Sequence, residues 1–334
     1  MSEQTETARA RPEPIRAVPV RHPGRWLTIA VLGVLTAMFL HVLLTNEQFR
    51  WSFIFLSYEP GKRGVMFTEP VLAGLRGTLL LTVWSMLIGI VLGVIIAIMR
   101  LSDNPILRAV AFGYTWFFRA VPRLVLCVLF GNLNILWDRI GFGLPFDQQI
   151  GRLFGIDDLN AQFYSIRASD LLAGFVAGML ALGLSEAAYM AEIVRAGIQS
   201  IDPGQSEAAV ALGLSRSQVL RRVVLPQAMR VIVPPTGNEV IAMVKDTSLV
   251  AFVPLSIELF FQLNAIKART FVVFPVLVAA VIWYLIICTV LMAAQFFVER
   301  HFSKGYGATG RARQRLRDIQ VEQGGRITPE SGAT

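Results

Sequence analysis

Ile201-Asp202-Pro203-Gly204-Gln205-Ser206-Glu207-Ala208-Ala209-Val210-Ala211-Leu212-Gly213-Leu214-Ser215-Arg216-Ser217-Gln218-Val219-Leu220-Arg221-Arg222-Val223-Val224-Leu225-Pro226 is a polar interlude in an otherwise apolar chain. Its spacing predicts two short helices. Asp202 suits an N-cap, Pro203 the first helical position, and Gln205 completes a capping-box pattern. Gly213 ends the first helix. Ser215 with Gln218 three residues on opens the second, which Pro226 is expected to stop or kink. The unit is a helix-turn-helix elbow of about 202–226.

On either side the chain reads as membrane. Of 334 residues, 54% are hydrophobic and 16% charged, and the mean hydropathy of +0.56 lies outside the soluble range. A crossing needs roughly 20 apolar residues. Trp26–Thr45, Gly77–Met99 and Phe271–Val298 meet that length without Asp, Glu, Lys or Arg. Ala109–Leu136 carries Arg119 and Arg123, Leu171–Val194 carries Glu186 and Glu192, and Ala228–Ile257 is interrupted by prolines and by Lys245-Asp246. The expected fold is an all-α integral membrane protein with about six transmembrane helices.

The formal charge of +8 invites a nucleic-acid reading, but its distribution argues for the positive-inside rule. Segments 1–25, 100–108, 195–226 and 299–334 hold 18 Lys and Arg, against 8 in 46–70, 137–170 and 258–270. Both termini are therefore expected in the cytoplasm. The first apolar run is read as a retained helix rather than a signal peptide, because no small-residue cleavage site follows it. The expected order is a basic disordered tail over 1–25, an extra helix over 26–45, an outer loop over 46–70, a transmembrane domain over 71–300 and a second basic disordered tail over 301–334. The Arg311–Arg317 run reads as a solvated tail that also sets topology, with lipid headgroups as its alternative contact. Cys127 and Cys288 sit in apolar runs and imply neither a disulfide framework nor a metal site.

An elbow of this shape could in principle read DNA, but membrane attachment on both sides leaves no independent three-helix core, so no nucleic-acid partner is expected. Docking to another protein fits better than a bare connector. Glu207-Ala208-Ala209 presents small side chains that let a groove approach closely, with Glu207 as a polar anchor.

These residues carry a resemblance. Glu207-Ala208-Ala209, Gly213 and Val223-Val224-Leu225-Pro226 match the cytoplasmic coupling motif of ABC-importer permeases in spacing, with Val223 in the place of Ile. Further blocks resemble the polar amino acid permeases: Gly74–Leu79, Phe118–Pro122, Ala188–Ile198, Leu225–Arg230, Pro234–Asn238 and Lys245–Leu249. The resemblance covers most of 70–300 and implies a permease core of five helices preceded by one extra. It implies that Glu207, Ala208, Ala209, Gly213, Leu225 and Pro226 form the interface to a separate ATP-binding subunit. It also implies a second permease chain, identical or not, and an extracytoplasmic substrate-binding protein. No cofactor is expected on this chain, since ATP is bound by the partner. The chain departs from the family in its third span, with Ala120-Val121 for Gly-Thr, Arg123 for Leu and Leu126 for Gln, which alters a pore-facing polar contact.

Charges inside a membrane need partners or a watery cavity. The structural reading pairs Glu192 with Arg195 and Arg119, and sets Lys245 and Asp246 at an interfacial break. The functional reading starts from Pro234-Pro235, which withhold backbone donors and are expected to interrupt a helix lining a cavity. Glu186, Tyr189, Asn238, Glu239 and Thr247, with Arg119, are then the candidate substrate path, and Glu186 favours a cationic head group.

Catalytic residues are not expected. The sequence has neither a Gly-x-x-x-x-Gly-Lys-Ser/Thr phosphate loop nor a His-Glu-x-x-His zinc motif, and only three histidines. The rival reading is a secondary amino acid transporter driven by an ion gradient, which also uses broken helices and buried carboxylates. The elbow discriminates, because such a transporter has no use for a docking unit.

Overall fold

The computed structural model describes residues 23–57, 63–136, 139–143, 146–155, 161–168, 174–253 and 257–302. The tails expected to be disordered lie outside these residues but for their innermost positions, and the Arg311–Arg317 run does so entirely. The chain divides into two units, Met1–Phe49 and Arg50–Thr334. In the first, α1 (Pro23–Thr45) is one unbroken helix whose apolar side chains, Trp26 to Leu44, are exposed all round. A helix apolar on every face suits lipid contact.

In the second unit, α2 (Trp51–Phe55) precedes the long α3 (Glu69–Arg100). Next come α4 (Pro105–Ala120) and α5 (Arg123–Gly131), then a two-stranded antiparallel hairpin of β1 (Arg139–Gly143) and β2 (Gln162–Arg167) flanking α6 (Asp147–Leu153). This hairpin lies in the expected outer loop 137–170 and is the departure from an all-α fold among the described residues. The long α7 (Gly174–Gln199) leads into the elbow, and α10 (Leu225–Asp246), α11 (Leu259–Thr270) and α12 (Val273–Phe302) complete the bundle. Among the described residues, four helices are individually long and apolar enough to cross a bilayer, and a fifth crossing is made if α4 and α5 count together. The sixth expected crossing corresponds to α10, which carries Glu239, Lys245 and Asp246.

The third expected span is not a single helix. α4 and α5 meet at 97°. Pro122 explains the corner, since it holds the preceding residue extended and cannot donate: Val121 sits at φ −84°, ψ 129°. Arg123 then opens α5.

The prolines of α10 behave otherwise. Pro234 and Pro235 lie inside a continuous helix, and the expected interruption there does not occur. Side chains also bond the backbone around this stretch: Gln295 on α12 donates to the Pro234 carbonyl at 3.4 Å, and Thr236 Oγ1 donates to the Ile232 carbonyl at 2.8 Å. The helical hydrogen-bond pattern changes at Thr247, where α10 tightens into a 3-10 turn, Thr247–Phe252.

The elbow forms as its capping chemistry dictates. Asp202 accepts from the Gly204 N–H at 2.9 Å and starts α8 (Pro203–Ala211); Gly213 takes φ +83°, which favours glycine. Ser215 and Gln218 close a full capping box on α9 (Arg216–Val219). Gln205 does not complete the first box; its side chain instead accepts from Gln227 Nε2 at 2.5 Å, linking α8 to the start of α10. Pro226 does not stop the helical run as expected: a π-helical turn over Leu220–Val224 feeds directly into α10, with Pro226 in its first turn. Ser215→Ala removes the capping oxygen and is expected to weaken the elbow by about 1 kcal/mol, read as faster amide exchange over 215–219 with the transmembrane helices unaffected.

Candidate functional site

The broken span places a charge where helices converge. Arg123, at the first position of α5, donates from Nη2 to Glu186 Oε2 on α7 at 2.9 Å and from Nη1 to Asp246 at the end of α10. Its Nη2 also lies 3.8 Å from Glu239 Oε2 on α10. The guanidinium carbon stands 4.7 Å from the centre of the Tyr189 ring, and that of Arg119 lies 5.6 Å from the same ring. One cation thus faces three carboxylates from two helices.

The helical periods explain the convergence. Glu186 and Tyr189 are three residues apart and share a face of α7; Glu239 and Asp246 are seven apart and share a face of α10. Close packing of α3 on α7 brings Gly89 against Glu186, where a Cβ would meet Glu186 Cγ at 2.5 Å and Cβ at 2.8 Å. Glu186 is fully buried while Glu239 and Asp246 are 24% and 29% exposed, so the carboxylate chamber grades from a buried oxygen pair to two partly exposed ones. Among the described residues, Glu186 Oε1 has no hydrogen-bond partner.

Glu186, Tyr189 and Glu239 of the expected substrate path therefore meet, and Arg119 reaches them through the tyrosine ring. Asn238 and Thr247 do not. Asn238 Oδ1 is exposed toward α12 and accepts from Gln295 Nε2 at 2.9 Å. Thr247 is buried and donates to the Val244 carbonyl at 2.7 Å. Arg123, absent from the expected path, is the centre of the group; its departure from the family pattern was the signal that marked it. Asp246, expected at an interfacial break with Lys245, pairs with Arg123 instead, while Lys245 is exposed.

The expected trio of Glu192, Arg195 and Arg119 also changes membership. Glu192 pairs with Arg195 at 2.6 Å and with Arg100 at 3.3 Å, and Arg119 stays outside because its guanidinium lies over Tyr189. A further carboxylate went unnoticed in the sequence. Glu258, fully buried at the N-cap of α11, accepts from Thr78 Oγ1 at 3.1 Å, Tyr284 Oη at 2.8 Å and the Phe261 N–H at 2.9 Å. These bonds join α3, α11 and α12, and both oxygens are satisfied, which marks a structural polar network rather than a ligand site.

On the elbow, Glu207, Ala208 and Gly213 are exposed, as are Val210 at 55% and Leu212 at 82%. Leu225 and Pro226 are also exposed. Ala209, also expected at the interface, is buried with Val219 and Val224 in the elbow's own small core.

Residues 89–304 match the binding-protein-dependent transport system inner membrane component family. The chain belongs to that family. This permease is 42% identical, over 91% of its length and 88% of the other, to the arginine transport system permease protein ArgU of Corynebacterium glutamicum. It is 34% identical over 72% of its length and 92% of the other to the nopaline transport system permease protein NocM of Agrobacterium fabrum. The permease also resembles a chain in the crystal structure of an amino acid ABC transporter with histidines, at 31% identity and a TM-score of 0.55 over 71% of this chain and 96% of that one. The permease is accordingly a membrane component of an ATP-binding-cassette importer, not an enzyme, and the ion-gradient reading finds no support.

Proposed function

We propose that this permease carries an amino acid with a cationic side chain, of the arginine type, through the chamber formed by Glu186, Tyr189, Glu239 and Asp246. The observation that carries this reading is the clustering of Glu186, Glu239 and Asp246 around one guanidinium, with a buried oxygen of Glu186 that has no partner among the described residues. A fully buried carboxylate is costly without a cation beside it, so the cluster is built to hold a guanidinium. Similarity to an arginine permease supports the same cargo class.

The elbow, through Glu207, Ala208, Gly213, Leu225 and Pro226, docks on a separate ATP-binding subunit, whose nucleotide cycle opens and closes the path. A second permease chain encloses the other half of the path, and a binding protein delivers cargo from outside. The chain lies in the bacterial inner membrane with both termini cytoplasmic, following the Lys and Arg asymmetry. The test is competition in proteoliposomes holding the complete importer. Uptake of labelled L-arginine is expected to be blocked by excess L-lysine or L-ornithine and unaffected by L-glutamate. Equal competition by L-glutamine would contradict a site selective for cationic cargo.

A further inference from the structure

Resting on the cationic-cargo reading, we infer that Arg123 is a resident counter-ion whose guanidinium fills the cation position of the carboxylate chamber, and that cargo must displace it to bind. Arg123 thereby sets the affinity threshold and the selectivity of the path.

The placement of Arg123 cannot be explained by the helix that bears it. A cation at the first position of α5 faces the positive end of the helix dipole, the unfavourable end. What holds it is the chamber: Nη1 and Nη2 go to Asp246 and Glu186, Glu239 lies beyond, and the Tyr189 face supplies a cation-π contact. These are the contacts a cargo guanidinium would seek. The side chain is 14% exposed and stands between the buried Glu186 and the more exposed rim carboxylates. It hangs beside the corner between α4 and α5, set by Val121-Pro122, so movement at that corner would carry the guanidinium out of the chamber.

Competition between resident and incoming cation lowers apparent affinity by the fraction of time the chamber is vacant. A neutral residue at 123 should therefore strengthen binding of a free guanidinium. The opposite result is expected if Arg123 contacts the cargo's own α-carboxylate.

Binding of labelled L-arginine and L-glutamine to the full importer in nanodiscs, without nucleotide, separates these. For Arg123→Gln the account expects affinity for L-arginine to rise by about tenfold or more, with L-glutamine unchanged. Because Arg123→Gln leaves three carboxylates together, the charge-balanced variant Arg123→Gln with Asp246→Asn is measured beside it; it retains Glu186 and Glu239 and is expected to show the same gain. Unchanged or weaker L-arginine binding in whichever variant assembles would overturn the inference. A wild-type importer that binds L-glutamine but not L-arginine defeats the cargo reading alone, since the variants must still gain L-arginine binding.

Discussion

Transport is expected to stop, with the membrane core intact, when the exposed face of the elbow carries Glu207→Arg together with Gly213→Asp. Both positions are exposed, and the first inverts the charge of the proposed polar anchor. At Gly213 an added Cβ meets nothing within 4 Å, so the new carboxylate projects outward and the cost is confined to the φ of +83°. That strain is about 1 kcal/mol and local. Loss of a central charged contact in a docked interface costs on the order of 3 kcal/mol, so ATP-dependent uptake should fall by roughly 100-fold or more. The capping box at Ser215 and Gln218, the Gln205–Gln227 bond and the small core of Ala209, Val219 and Val224 are untouched. The permease should therefore still purify as an assembled chain, which size-exclusion chromatography checks. Wild-type uptake in an assembled double variant would remove the elbow from the coupling account.

The second large effect is expected from Glu186→Gln. The change is isosteric, so the packing against Gly89 is retained, but the fully buried anion facing Arg123 is lost. Removing one member of a buried ion pair typically costs about 3 to 5 kcal/mol. Here Arg123 keeps Asp246, so much of the loss should appear in cargo binding rather than in assembly. Uptake of L-arginine should fall on the order of 100-fold. Asn238→Ala serves as the comparison, because Asn238 lies away from the chamber and bonds to Gln295; its uptake should stay within about threefold of wild type. Equal effects of the two substitutions would mean that the chamber is not the cargo site.

The elbow could be read residue by residue because capping is local. Asp202, Gly213, Ser215 and Gln218 act on backbone groups within three residues, and the sequence displays all of them together. The chamber could be read only in part. The pairs Glu186 with Tyr189 and Glu239 with Asp246 carry helical spacing, but nothing in the sequence states that the two faces meet, or that residue 123 lies between them. That meeting depends on the 97° corner and on the packing of α7 against α10.

Proline misled in both directions. Pro122 sits at the corner between α4 and α5, whereas Pro234 and Pro235 lie within a continuous helix and Pro226 follows directly on a π turn. These prolines look alike in the sequence, because the helix packing that decides between these outcomes is not local. Glu258 carries no local signal either, since its partners Thr78 and Tyr284 lie 180 and 26 residues away.

If this chain is the membrane half of an importer driven by ATP through its elbow, transport must follow nucleotide and not an ion gradient. Proteoliposomes containing the permease, its companion permease chain, the ATP-binding subunit and the binding protein test it most directly, through uptake of labelled L-arginine with ATP supplied and ion gradients collapsed by ionophores. Uptake is expected to require ATP, to persist without any gradient and to disappear in the Glu207→Arg, Gly213→Asp variant. Uptake that follows a proton or sodium gradient, ignores ATP and survives the elbow substitutions would contradict it.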